Sequence, residues 1–200
     1  MASQVYVGAR DGVLSPEAAF DLACLLAEWG PSGPLVRELA ERSAEGTDPE
    51  KIAGLARRVL ALTTFQPGFD LEPVLLAGLE AALEAIKADM RATGLAGPVR
   101  LIITDWNSPP HAYAEFRGHS GNGSGIGPDN GSDPRWALVA VADDLQDAVM
   151  ETLWEVWPLC SAHNLGAHAR AHDGTAVWWC NASGGHIIAP IGKWYERARS

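Results

Sequence analysis

Cysteine and histidine side chains are concentrated near the end of this 200-residue chain. Two of the three cysteines and four of the six histidines fall within 27 positions. These residues are Cys160, His163, His168, His172, Cys180 and His186. Thiolate and imidazole groups are the donors that a tetrahedral ion such as Zn²⁺ prefers in proteins. The residue types and their spacing therefore predict a metal site that holds one zinc ion.

Cys160 and His163 form a CxxH motif, in which a two-residue spacer lets both side chains reach one ion. Cys180 is the expected third ligand. Two histidines compete for the fourth position, namely His168 in the preceding segment and His186 after a later turn. His172 lies beside a predicted turn and is expected to be an exposed histidine without a ligand role.

The geometry of one predicted hairpin decides whether His168 can be a ligand. Asp173 and Gly174 predict a tight turn between HARAH and TAVWWC. With a two-residue loop, Ala167 would lie opposite Cys180 and His168 would point to the other face. With a three-residue loop and a bulge, His168 and Cys180 would share a face.

Several function classes are compatible with this cluster. In the first, the ion is structural, replaces a core that a short tail cannot build, and supports a binding or adaptor protein. In the second, the ion is catalytic, as in a zinc-dependent hydrolase or related metalloenzyme, with Glu151 or Glu155 as general base. The chain contains neither an HExxH nor an HxE…PCxxC pattern, which favours the first class over the second.

Two further interpretations need no metal. Cys160 could be a nucleophile paired with His163, although CxxH spacing more often indicates shared ligation. Alternatively, Cys160 and Cys180 are buried apolar thiols and the histidines are unrelated surface residues. Cys24, alone on an apolar helix face, is predicted to be in the core in either case. His111 and His119 have no partner cysteine and are predicted to lie at the surface or in a loop.

Composition restricts the partners. The chain has a formal net charge of −10 and a pI near 4.9, whereas nucleic-acid binders present a clustered basic surface. The positive charges Lys193, Arg197 and Arg199 are interpreted as a solvated tail. We therefore expect a protein partner and no nucleic acid; the oligomeric state is left open.

The N-terminus lacks the basic and apolar regions of a secretory signal, and apolar stretches such as LACLLA at 22–27 are too short to cross a bilayer. These features predict a soluble cytoplasmic protein without a membrane partner. In a reducing compartment, metal ligation is favoured over a disulfide between Cys160 and Cys180.

The elements that would position the cluster indicate an α+β fold with three regions. Four helices are predicted in residues 1–96, within 16–29, 35–44, 49–60 and 71–93, and would form a bundle. Residues 97–156 would form three antiparallel strands, at 99–106, 111–117 and 135–141, and one covering helix at 143–157. The glycine-rich segment 118–134 is interpreted as a long flexible loop. Residues 157–200 would form a zinc-ribbon-like tail.

Five tryptophans surround the cluster: Trp154, Trp157, Trp178, Trp179 and Trp194. The favoured prediction is that they pack between the tail and the preceding helix as its core. If two or more were exposed, they would instead form a recognition patch for a partner protein.

The run ADDLQDAVMETLWEVWPLCSAH, followed by DGTAVWWC and IIAPIG, resembles a group of small uncharacterised bacterial proteins. That group carries an ADxxQDAVxExLW helix, a WPxCPxH motif, a WxC strand and a closing IG pair. The resemblance covers about residues 135–194, and Ser161 replaces the second proline of the motif. The matching positions are Cys160, His163, His168 and Cys180, so the resemblance favours His168 over His186 and implies a zinc-ribbon-like region without assigning a function.

Overall fold

The computed structural model describes residues 1–46 and 48–194, which form two compact units, 1–67 and 68 onward. The fold is α+β, with six helices and two antiparallel three-stranded sheets among the described residues. The predicted fold class is thereby confirmed. Arg197 and Arg199, which were interpreted as part of a solvated tail, lie outside the described residues. Within the described ranges, no helix has both the length and the apolar character needed to cross a membrane.

The first unit consists of four helices, α1 (Ala2–Asp11), α2 (Pro16–Trp29), α3 (Pro34–Ala44) and α4 (Pro49–Leu60). A proline opens each of the last three helices, where its missing N–H is not needed. Ser15 and Asp48 cap α2 and α4 by accepting hydrogen bonds from backbone N–H groups. Helix α1 was not predicted.

Cys24 is exposed, so its predicted place in the core is wrong. The buried positions of α2 are Ala19, Leu22, Ala23 and Leu26, which recur at helical spacing. Cys24 lies about 100° around the helix from Ala23 and falls outside that stripe. Leu25 and Trp29, which were predicted to share the apolar face of α2, are also exposed.

The second unit begins with α5 (Pro73–Ala92) and a sheet of β1 (Val99–Thr104), β2 (His111–Phe116) and β3 (His119–Ser120). After a 3₁₀ turn (Pro128–Ser132) comes α6 (Pro134–Leu153). The second sheet contains β4 (Ala167–His172), β5 (Thr175–Cys180) and β6 (His186–Pro190), in that order. Helix α6 packs against α5, β2, β4 and β5, so one core joins both sheets of this unit.

The boundary between the units differs from the one expected at residue 96. Helix α5 was assigned to the N-terminal bundle, but it packs against α6 in the second unit. Its buried face includes Leu79, Leu83, Ile86 and Met90. An apolar stripe shows that a helix needs a partner and does not identify which partner it has.

The segment 135–141 is helical, and its prediction as a strand is wrong. Asp133 accepts hydrogen bonds from the N–H groups of Arg135 and Trp136, and Pro134 occupies the first helical position. These features begin α6 nine residues before the predicted helix start at residue 143. After Arg135 the run is apolar, and such a run has no periodicity that separates a buried strand from a buried helix. The third strand of the first sheet is β3.

The glycine-rich segment is packed, in contrast to the flexible loop predicted for it. Ile126 forms an isolated antiparallel bridge with Ala112 of β2. The 3₁₀ turn contacts α5 so closely that a Cβ atom on Gly131 would lie 1.9 Å from the carbonyl oxygen of Leu75. Glycine is required there because the two backbones touch.

Candidate metal centre

The first half of the cluster lies in a tight turn between α6 and β4. We call residues 158–167 the first knuckle. An antiparallel bridge between Leu159 and Gly166 closes it, and the N–H of Cys160 donates to the carbonyl of Leu165 over 2.8 Å. The N–H groups of His163 and Asn164 both donate to the carbonyl of Cys160. This turn places the Cys160 and His163 side chains on the same side.

The second half of the cluster lies in the connection between β5 and β6. Cys180 ends β5, His186 begins β6, and the two residues are paired across the strands. We call residues 180–186 the second knuckle. The turn needs glycine at positions 184 and 185, where φ is +85° and +56°. Each knuckle therefore contributes one cysteine and one histidine.

The four side chains converge on one point. One donor atom from each of Cys160, His163, Cys180 and His186 lies within 4.8 Å of every other. The Nδ1 atom of His163 is 3.6 Å from the sulfur atoms of both cysteines, and the Nε2 atom of His186 is 3.5 Å from the sulfur of Cys160. Ordinary Zn–S and Zn–N bonds at tetrahedral angles separate S from N by about 3.6 Å. The cluster has the donor set and the dimensions to hold a metal ion.

The protein environment favours a thiolate at this point. Both sulfur-bearing residues are fully buried, whereas His163 is exposed and His186 is half-buried. Burial raises the pKa of Cys160, but contacts with the His163 ring, the backbone at 162 and 163 and the Cys180 thiol outweigh it and lower the pKa to about 6. A cysteine must lose its proton to bind a metal ion, so this environment lowers the cost of binding.

The structure does not bring His168 to the cluster. The hairpin between β4 and β5 has a two-residue loop, with His172 opposite Thr175 and Ala167 opposite Cys180. His168 lies opposite Trp179, is exposed, and points to the other face of the sheet. Of the two alternatives for the fourth position, His186 is the one that is near the other three.

The other three histidines of the chain, His172, His119 and His111, also lie apart from the four-residue cluster. His172 is partly exposed, with its ring 5.1 Å from the Trp179 ring and its Nε2 atom 3.3 Å from the Asp173 carboxylate. His119 is exposed in β3, and the Nδ1 atom of His111 is 2.9 Å from the carbonyl oxygen of Ser124.

Two buried polar residues that the sequence analysis did not single out hydrogen-bond to the segments that carry the knuckles. Gln146 of α6 donates through Nε2 to the carbonyls of Trp157 and Ala167, at 2.9 and 2.7 Å. Trp157 immediately precedes the first knuckle and Ala167 is its last residue, so Gln146 ties the two ends of the knuckle together. The only sequence signal for this role is that Gln146 is a polar residue next to Leu145 and Val149 on the apolar face of α6.

Asp89 of α5 supports the second sheet. Its Oδ2 atom accepts from the Trp178 indole at 2.7 Å and from the Gly192 N–H at 2.6 Å, and its Oδ1 atom accepts from the Trp194 N–H at 2.8 Å. Burial raises the pKa of Asp89, although all three hydrogen bonds oppose the rise. Trp178 is two residues from Cys180 in β5, so Asp89 fixes the strand that carries this candidate ligand.

Replacement of Gln146 by leucine is expected to weaken zinc binding by about tenfold to a hundredfold, because partners that orient a metal-binding segment have effects of that size. Stoichiometry should not change, since all four candidate ligands remain. Competition with a chromophoric chelator measures the affinity. Gln146→Glu keeps the size but loses the donor, and should be at least as damaging. An affinity equal to wild type in both variants would contradict a supporting role for Gln146.

The tryptophans largely follow the core prediction. Trp178 is completely buried and Trp157 is 7% exposed, and their rings meet edge to face at 5.5 Å. Trp179 and Trp194 are partly buried. Trp154 is 91% exposed. The alternative of a tryptophan recognition patch required two or more exposed tryptophans, and Trp154 is the single one of the five that is exposed.

No protein-family model matches this chain, and neither the curated proteins nor the solved structures include a significant match. The resemblance of residues 135–194 to small uncharacterised bacterial proteins therefore stays a prediction.

Proposed function

We propose that the second unit is a zinc-ribbon-like module in which one structural Zn²⁺ is held by Cys160, His163, Cys180 and His186. In this proposal the chain is a non-enzymatic binding or adaptor protein. The observation that carries the proposal is the convergence of four soft donor atoms within 4.8 Å, two from each knuckle. Paired knuckles of this kind are the usual arrangement of closed, four-coordinate structural zinc sites.

The number of ligands supports a structural role for the ion over a catalytic one. Four protein donors fill a tetrahedral coordination sphere and leave no position for a reacting water. Glu151, one candidate base, accepts hydrogen bonds from the backbone and side-chain nitrogens of Asn122, each at 3.0 Å. Its carboxylate is thus engaged by the glycine-rich segment.

The contacts of Cys160 also favour ligation over a nucleophilic role. Its sulfur touches nitrogen atoms of both His163 and His186, at 3.6 and 3.5 Å. A catalytic pair needs one histidine as base and an accessible sulfur. Two imidazoles at similar distances from a fully buried sulfur are better explained by a shared ion.

A binding role is supported by apolar side chains that remain exposed around the first knuckle. They are Trp154, Val156, Leu159 and Leu165. Exposed apolar groups in one neighbourhood are typical of surfaces that contact other proteins. In this proposal the ion holds the knuckle that presents them.

Cobalt titration tests the proposed coordination. Co²⁺ added to metal-free protein should give visible d–d absorption of tetrahedral intensity and a thiolate-to-cobalt charge-transfer band, both saturating at one equivalent. Cys180→Ser should weaken the charge-transfer band because one thiolate is lost, and His168→Ala should leave the spectrum unchanged. A weak octahedral spectrum without charge transfer would contradict the proposal.

A further inference from the structure

Large apolar side chains are exposed where α6 ends and the first knuckle begins, within the second unit. Trp154 has the most exposed large apolar side chain among the described residues, and Met150, Val156 and Leu159 are exposed as well. We call these four residues the helix–knuckle surface. Tryptophan and methionine are enriched at protein interfaces relative to the rest of a protein surface.

The members of the helix–knuckle surface are neighbours. Trp154 follows Met150 by one helical turn, and its N–H donates to the carbonyl of Met150. Leu159 is paired with Gly166, and a Cβ atom on Gly166 would lie 2.6 Å from Cγ1 of Val156. Residues that are directly paired in an antiparallel bridge point to the same face, so Leu159 and Val156 share a face. Val156 is two residues from Trp154, so the surface runs from the last turn of α6 onto the first knuckle.

A row of carboxylates borders this surface along α6. Asp143, Asp147 and Glu151 are exposed and follow each other at intervals of four residues, which places them in one row on the helix. Met150 and Trp154 each follow a member of this row by three residues, and residues three apart on a helix are also neighbours. An acidic row and an apolar row therefore lie side by side.

The acidic row carries its charge without a paired base. Residues 136–169 contain five carboxylates and neither lysine nor arginine. Within the part of the chain that the structure describes, no lysine or arginine from elsewhere pairs with Asp143, Asp147 or Glu151. Burial raises the pKa of Asp147, and repulsion from Asp143 and Glu151 raises it further. A positively charged ligand group would relieve this repulsion.

We infer that the helix–knuckle surface binds a basic amphipathic helix of a partner protein. The apolar face of that helix covers Met150, Trp154, Val156 and Leu159, and its lysine or arginine side chains lie along the acidic row. Apolar anchors at helical spacing are a common mode of peptide recognition, and opposite charges at the border select the partner. The inference specifies the partner for the binding role proposed above and rests on that role, but it does not rest on the bound ion.

The distribution of charge decides between occupants. A second copy of this chain is disfavoured, because two proteins with a net charge of −10 repel each other and would bring two acidic rows together. The knuckle end of the surface is closer to neutral, since Arg117 and Glu155 line the same cleft as Leu159. The basic side chains of the ligand are therefore expected along α6.

A 14-residue peptide of leucine and lysine with one apolar face is a suitable probe. The acidic row from Asp143 to Glu151 is about 12 Å long and a 14-residue helix is about 21 Å long, so the peptide can reach the row and the apolar residues together. Isothermal calorimetry with the full chain should show saturable binding at one equivalent, weakened by added salt. A peptide of the same composition with its leucines spread around the helix should bind at least about tenfold more weakly, because it keeps the charge and lacks the apolar face.

Two tryptophan variants locate the site. Trp154→Ala should weaken binding of the amphipathic peptide by about tenfold or more, because exposed tryptophans are frequent interface anchors. Trp29→Ala is the matched control, since Trp29 is also exposed and follows an acidic residue, Glu28, but lies in the first unit. Its affinity should equal that of wild type. Both side chains are exposed, so thermal melting of each variant should match wild type.

Two double variants test the acidic row. Asp143→Asn with Asp147→Asn removes two charges from the row and should weaken binding by about threefold or more. Glu17→Gln with Asp21→Asn removes two charges from exposed positions of α2 and serves as the control. Equal loss of affinity in the two double variants would show that net charge alone attracts the peptide, and would overturn the inference.

The same samples separate this inference from the proposed zinc module. Zinc-bearing wild type that does not bind the amphipathic peptide would overturn the inference and leave the module intact. Binding by a chain that carries no metal would count against the module and support the inference. The inference would also be overturned if the two peptides bound equally, if a glutamate counterpart of the probe bound as tightly, or if the chain formed dimers that Trp154→Ala dissociates.

Discussion

Replacement of Cys180 by serine is expected to abolish stoichiometric zinc binding and to lower the free energy of unfolding of the second unit by about 4 kcal/mol or more. A ligand that binds only the folded state contributes about 4 kcal/mol when its free concentration is a thousandfold above its dissociation constant. A serine hydroxyl keeps its proton near neutral pH and is a poor zinc ligand, so most of that contribution is lost. Chemical denaturation with matched metal analysis measures both effects.

The chain provides matched controls for this prediction. Cys24→Ser changes an exposed thiol in the first unit and should leave the zinc content unchanged. Its effect on the free energy of unfolding should be within about 0.5 kcal/mol. His186→Ala should reduce zinc affinity strongly, whereas His168→Ala should not. If His168→Ala removed zinc and His186→Ala retained it, the register of the β4–β5 hairpin would be wrong.

Replacement of Asp89 by alanine is expected to cost about 3 kcal/mol or more of folding free energy. The change leaves three donors without an acceptor, namely the Trp178 indole and the N–H groups of Gly192 and Trp194. Each buried donor that loses its partner costs about 1–3 kcal/mol. Denaturant unfolding gives the loss, and near-UV circular dichroism reports on the packing of Trp178 against Trp157.

Two variants of α5 show whether the effect comes from the carboxylate. Asp89→Asn retains the volume and one acceptor oxygen, so its loss of stability should be smaller than that of the alanine variant. Glu80→Ala changes an exposed residue of the same helix and should have an effect within about 0.5 kcal/mol. Equal stabilities of the Asp89→Ala and Glu80→Ala variants would show that Asp89 does not stabilise the second unit.

Helix starts were the part of the fold that the sequence indicated most directly. A capping residue followed by proline marked α2 and α4, because these residues satisfy or remove the free N–H groups of a first turn. Helix α6 has the same signal at Asp133 and Pro134, but the apolar run behind it was interpreted as a strand. The partner of α5 was not predictable, because the apolar faces of different helices are chemically alike.

Spacing alone predicted three members of the candidate metal centre, and the structure brings those three together. The CxxH motif is local, so its geometry follows from the turn that contains it. The choice between His168 and His186 depended on the register of a hairpin, where one residue moves a side chain to the other face. Gln146 and Asp89 were missed because their role depends on tertiary contacts, which a polar residue on an apolar stripe does not identify.

The most direct test of the central claim is the metal content of each chain, measured together with the melting temperature before and after chelation. The protein is purified without added metal and without an affinity tag rich in histidine, and native mass spectrometry with elemental analysis gives the stoichiometry. We expect one zinc ion per chain, and its removal should lower the melting temperature of the second unit. A chain that carries no metal and melts at the same temperature with and without chelator would contradict the account.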